Sequence, residues 1–208
     1  MQTSIYRSIE LFFLFVVIPI GFVLEFPIWL KMTIGLFGFA YVVFVLLRIE
    51  KNQFKISDTL NWKQFWKKTL LKFIGIAIIT TIYMWVFDSS NLYIVIRNKP
   101  MLWGVMLFMY SLFSVYPQEL IYRTFFFQRY QSLFKNKSLF ILVNAALFSL
   151  AHIFFKNTLV MLLTFLGGIL FALTFRKTKS TLLVSIEHSI YGCWLFTVGM
   201  GEILGFPQ

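Results

Sequence analysis

The chain has 208 residues, 59% of them hydrophobic and 13% charged, with 27 phenylalanines and a formal net charge of +11. A water-soluble domain cannot hide so much apolar surface behind so thin a polar coat, so a polytopic membrane protein is expected. The basic residues fall in loops between apolar segments, which argues against nucleic acid as the partner, and the single cysteine, Cys193, excludes an internal disulfide.

The opening stretch MQTSIYRSIE lacks a strong basic start, and no small-x-small cleavage site follows the apolar run. That run is therefore read as a retained first span rather than a secretory signal. Hydropathy windows of about 19 residues mark seven apolar segments, at 9–28, 32–49, 69–88, 100–126, 139–155, 158–175 and 180–204. The last is long and carries Gly192, Gly199 and Gly201, so it can be broken into two pieces. The expected fold is an all-α transmembrane helix bundle of about seven to eight spans. It forms a single membrane domain over residues 1–208, with a motif-bearing core at roughly 100–205.

Between the second and third segments lies the only sizeable polar stretch, 52–68, in which Phe54, Leu60, Trp62, Phe65 and Trp66 are interspersed with lysines. It reads equally well as an amphipathic helix on the inner leaflet or as an ordinary basic loop. Seven spans place alternate loops on alternate sides. The side holding the N-terminus then carries 14 basic residues, among them Arg7, Arg48, Lys51, Lys72, Arg129, Lys137 and Lys177, against 4 on the other: Lys31, Arg97, Lys99 and Lys156. By the positive-inside rule the N-terminus is expected in the cytoplasm. The Lys-, Ile- and Phe-rich composition suggests an AT-rich bacterial genome, hence a bacterial cytoplasmic membrane.

Ionisable groups in the bilayer core cost about 2.5–3.5 kcal/mol each on insertion scales, so they persist where they pair, line a cavity or do chemistry. The later spans hold Glu119, Arg123, His152, Glu187 and His188, including both histidines of the chain. In the early spans only Glu10 and Glu25 compare, and both lie near span ends where water is in reach. Glu119 and Arg123 are spaced i, i+4, on one helix face. A carboxylate, a cation and two imidazoles on three spans favour one shared polar cavity. There a carboxylate can take a proton from water while an imidazole orients that water or stabilises an oxyanion. Glu119, His152 and His188 could instead ligate zinc, but no H-E-x-x-H motif supports a metal, and no cofactor is expected.

Three short motifs on successive late spans carry a resemblance. QELIYR (Gln118–Arg123), FSLAH (Phe148–His152) and HSIYG (His188–Gly192) resemble the Glu-Glu-x-x-x-Arg, Phe-x-x-x-His and His-x-x-x-Asn/Asp motifs of the CPBP family of CAAX prenyl endopeptidases, Abi proteins and bacteriocin-processing proteases. The resemblance implies an intramembrane endopeptidase whose partners are membrane lipid and a membrane-associated peptide. In the family, the position of Gln118 is a glutamate regarded as activating water. The next glutamate and the arginine support the site, here Glu119 and Arg123. The histidine matching His152 positions the water. The one matching His188, with the asparagine at the place of Gly192, is thought to stabilise the oxyanion. This sequence departs twice, at Gln118 and at Gly192. Three explanations compete: Glu119 acts as base on a rotated helix or displaced water, Glu187 supplies the missing carboxylate, or the chain no longer hydrolyses peptides and serves as a membrane scaffold or regulator. Asn144 could replace the lost amide, although an ordinary interhelical asparagine reads at least as well. Tyr122 and Tyr191 could reach the cavity, the FFF run at 125–127 packs or faces lipid, and Cys193 packs. The oligomeric state is not legible.

Overall fold

The computed structural model describes residues 3–54, 56 and 60–204. Its described residues form helices and connecting turns with no strand. Among them seven helices are long and apolar enough to cross a membrane: Ser4–Gly21, Ile28–Ile49, Trp62–Phe87, Pro100–Leu133, Lys137–Phe155, Thr158–Thr178 and Thr181–Met200. The protein is thus an all-α polytopic bundle. An apolar helix satisfies its own backbone polar groups, which is why this is the architecture lipid permits.

Side-chain caps mark where the spans begin. Thr3, Asn61, Asn136, Asn157 and Ser180 each accept a hydrogen bond from a backbone N–H in the first turn of the first, third, fifth, sixth and seventh spans. Lys156 and Lys179 adopt left-handed backbone at the two tight reversals, so the last three spans run as antiparallel neighbours. The fifth and sixth approach closely: a Cβ on Gly168 would lie 3.0 Å from Ala145 Cα.

Several boundaries differ from expectation. The third span begins at Trp62, so the end of the 52–68 stretch is the first turns of a transmembrane helix rather than part of a separate amphipathic one. Residues 55 and 57–59 of that stretch lie outside the described residues. The seventh span is interrupted at Gly199, one of the three glycines at which a break was open, and its φ is +110°. Only a glycine tolerates that conformation with the Asn91 carbonyl packed against it. The fourth span runs on to Leu133, past an FFF run that is fully packed: Phe125 and Phe126 are 0% exposed and stack around Phe15, Tyr130 and Phe140.

Glu10 does not reach water. It is buried, and its carboxylate accepts from Arg129 Nε at 2.8 Å, from Tyr130 at 3.0 Å and from Tyr41. Arg129 also donates to Glu50 at 2.9 Å. This network ties the start of the first span to the ends of the second and fourth, the arrangement that alternating spans require.

Candidate functional site

The fourth span positions the site. Pro117 has no N–H and its ring would crowd the carbonyl four residues back. The helix opens into wide π turns on either side of it, Tyr110–Val115 and Leu120–Phe125, with one α turn, Tyr116–Glu119, between. Such π insertions recur at functional sites because they re-aim side chains. Here they flank Gln118 and Glu119 and include Tyr110 and Arg123 at their ends.

Glu119 and Arg123 are both 0% exposed and form an ion pair, Arg123 Nε lying 3.2 Å from Glu119 Oε2. The other carboxylate oxygen accepts from His188 Nδ1 at 2.7 Å. Arg123 reaches on to Asn144 Oδ1 at 2.6 Å and lies over the Phe148 ring at 4.8 Å, while Asn144 donates to the Tyr122 carbonyl at 2.7 Å. These contacts offset part of the cost of burying the charge pair, although Arg123 Nη2 has no hydrogen-bond partner among the described residues. His188 stacks on Phe171 at 4.3 Å, and its Nε2 lies 3.2 Å from the Tyr110 hydroxyl. His152 donates Nδ1–H to the Phe148 carbonyl at 2.8 Å, with its ring against Phe148. Phe148 therefore sits at the centre, touching Arg123, Tyr122, His152 and His188.

Beside this cluster is a cavity of about 770 Å³, walled mainly by apolar residues of the first, second, third and sixth spans. Its polar lining includes Tyr110, Ser114, Gln118, His152 and His188. Glu119 and Arg123 are not among the lining residues; they stand behind the wall and hold His188 in it. Of the five residues singled out in sequence, Glu119, Arg123 and His188 are thus joined directly, and His152 and Gln118 share a cavity wall with His188. Gln118 donates Nε2–H to Ser114 at 2.9 Å, and its buried Oε1 has no hydrogen-bond partner among the described residues.

Residues 100–194 match the family described as Type II CAAX prenyl endopeptidase Rce1-like. Over those residues the chain is similar to that family. The matched stretch is a little under half of the 208 residues and contains all three motifs. It supports a CAAX-type intramembrane protease kind of function. No curated protein and no solved structure matches the chain.

Other polar side chains near the site have partners of their own. Glu187 is not a spare carboxylate: it is 0% exposed, forms an ion pair with Lys72 and accepts from Tyr191 at 2.8 Å, clamping the third span to the seventh. Asn144 is no cavity-facing amide, being held by Arg123 and the Tyr122 carbonyl. Among the described residues no group of three His, Cys, Asp or Glu side chains is arranged to hold a metal ion. The two Glu119 oxygens face His188 and Arg123 instead. Tyr110 was missed altogether. An aromatic residue in an apolar run carries no signal of its own; only folding brings it to His188.

Proposed function

We propose that the protein is an intramembrane endopeptidase of the CAAX-protease kind, hydrolysing a membrane-associated peptide with water activated by a glutamate–histidine pair. The observation that carries this is the 2.7 Å bond from His188 Nδ1 to Glu119, which sets an imidazole in the wall of an otherwise apolar cavity. With Nδ1 donating to a carboxylate, Nε2 carries the lone pair, and the carboxylate stabilises the imidazolium that forms on protonation. His188 then supplies the base that Gln118 cannot. Gln118 keeps a role open to an amide: its unpartnered Oε1 can accept from a water and orient it. Arg123 pairs with Glu119, and His152 lines the same wall as His188. The substrate lies with its apolar part in the cavity. The whole chain acts as one membrane domain, with residues of the fourth, fifth and seventh spans forming the site, in a bacterial cytoplasmic membrane.

The test is cleavage by the purified protein in liposomes of two fluorescence-quenched peptides, one farnesylated and ending in a CAAX sequence, one held by a transmembrane anchor. Cleavage that falls about 10²–10⁴-fold in His188→Ala, the range of a lost general base, and falls also in Glu119→Ala and His152→Ala, supports the reading.

One observation favours a second reading, a non-catalytic membrane scaffold. Gln118, not a carboxylate, faces the cavity. If neither peptide is cleaved by the unmodified protein but Gln118→Glu cleaves one, the chain is a decayed enzyme and the scaffold reading stands.

A further inference from the structure

His188 has two ring nitrogens, and both are engaged. Nδ1 donates to Glu119 at 2.7 Å, and Nε2 lies 3.2 Å from the Tyr110 hydroxyl. With Nδ1–H donated to the Glu119 carboxylate, Nε2 carries the ring's lone pair and Tyr110 O–H donates to it. The imidazole then has no lone pair left to offer the cavity. A phenol oxygen can accept a proton while it donates one, and Tyr110 lines that cavity. The chain carboxylate–imidazole–hydroxyl has the order in which a buried acid, a base and a hydroxyl act together elsewhere, but it is assembled from the fourth and seventh spans.

Gly192 provides the room. It lies four residues after His188, on the same helix face, and a Cβ built on it would collide with the Tyr110 hydroxyl and ring. Any side chain at position 192 would thus displace the phenol from His188. The glycine that looks in sequence like a lost function is the condition for a hydroxyl to stand beside the imidazole.

We infer that Tyr110 is a catalytic residue, the relay through which His188 takes a proton from the attacking water. This rests on the hydrolytic reading above. As the water oxygen bonds to the scissile carbonyl carbon, and the carbonyl π electrons move onto oxygen, a water proton passes to Tyr110 Oη. The phenol proton passes to His188 Nε2, and the imidazolium is held by Glu119. On collapse the carbon–nitrogen bond breaks. The departing nitrogen takes a proton from Tyr110, which recovers one from His188. One water is consumed, a carboxylic acid and an amine are formed, which leave as carboxylate and ammonium once the acid's proton passes to the amine, and every side chain returns to its starting state.

The experiment uses the full chain in liposomes with the two quenched peptides. Tyr110→Phe keeps the ring against Gly192 and removes only the hydroxyl; kcat is expected to fall at least 100-fold, on the order of a lost acid–base group, with KM little changed. A hydroxyl placed from the other span should restore part of it: Tyr110→Ala with Gly192→Ser, which sets an oxygen near the vacated place, should exceed Tyr110→Ala with Gly192→Ala at least tenfold. On the unmodified protein, kcat plotted against the deuterium fraction of the solvent should be bowed, as two protons move together. Full activity in Tyr110→Phe, equal rates for the two double variants, or a straight-line deuterium plot each overturns the relay while leaving the protease reading in place. No cleavage of either peptide by the unmodified protein overturns both.

Discussion

Arg123 lies 0% exposed between a carboxylate, an amide and a phenylalanine face. Its removal would leave Glu119 as a buried charge without its cation, and breaking one partner of such a pair costs about 3–5 kcal/mol. Arg123→Ala should therefore lower unfolding free energy in detergent by that order, and lose the fixed His188 as well; Arg123→Met paired with Glu119→Gln should recover much of the stability without the activity. Unchanged stability in Arg123→Ala would show that the pair is hydrated rather than buried. A second expectation concerns Gly192. Gly192→Ala places a methyl into the Tyr110 phenol, and overpacking of this kind costs about 1–3 kcal/mol. Adding Tyr110→Ala should relieve the clash, so the two changes should be far from additive in a thermal unfolding series. At this scale the sequence was only partly legible. Glu119 and Arg123 were found because i, i+4 spacing inside an apolar run is a local signal. Tyr110 and Gly192 were not connected because they are separated by 82 positions and meet only through the packing of two spans. That Glu119 stands behind the cavity wall, with Gln118 in it, depends on how the wide turns around Pro117 rotate the helix, which no spacing rule gives.

The elements are held by polar clasps as much as by apolar packing. Arg129, in the last turns of the fourth span, joins Glu10 of the first and Glu50 just past the second. In sequence all three look like charges within reach of water, because each lies near the end of an apolar run and nothing marks their convergence. Their burial follows from the bundle: Phe15 and Phe126 pack beneath them, with Tyr130 between the rings and Glu10. Arg129→Ala should thus strand two carboxylates and lower stability by about 3–5 kcal/mol, whereas replacing Arg129, Glu10 and Glu50 together by leucine should come close to the parent, since a buried charge network is no more stabilising than apolar residues of like volume. Equal losses in the single and triple variants, measured by denaturant titration in detergent, would count against a desolvated network. The cap asparagines are the opposite case. Asn61, Asn136 and Asn157 each start a span by accepting from a backbone N–H of its first turn, a local device that needs no packing between spans.

At the scale of the whole molecule, the span count and class were legible because hydropathy integrates over some twenty residues and is insensitive to local detail. The side of the membrane on which each loop lies is carried by charge alone. The Arg129 clasp puts Glu10, Glu50 and the end of the fourth span at one end, and the Lys72–Glu187 pair joins the early part of the third span to that of the seventh. The described helices thus alternate as a seven-span chain must, and the loops sort into the 14-to-4 distribution of basic residues. We propose, from the positive-inside rule, that this richly basic end faces the cytoplasm. The prediction is read with single cysteines in a Cys193→Ser background, since Cys193 is the only native thiol. Lys177→Cys, at the end of the sixth span, should react with a membrane-impermeant maleimide only in inside-out vesicles, and Lys156→Cys, at the turn between the fifth and sixth, only in intact cells. The reverse pattern would place the N-terminus outside the cytoplasm. It would also move the Lys72–Glu187 end of the bundle to the external face.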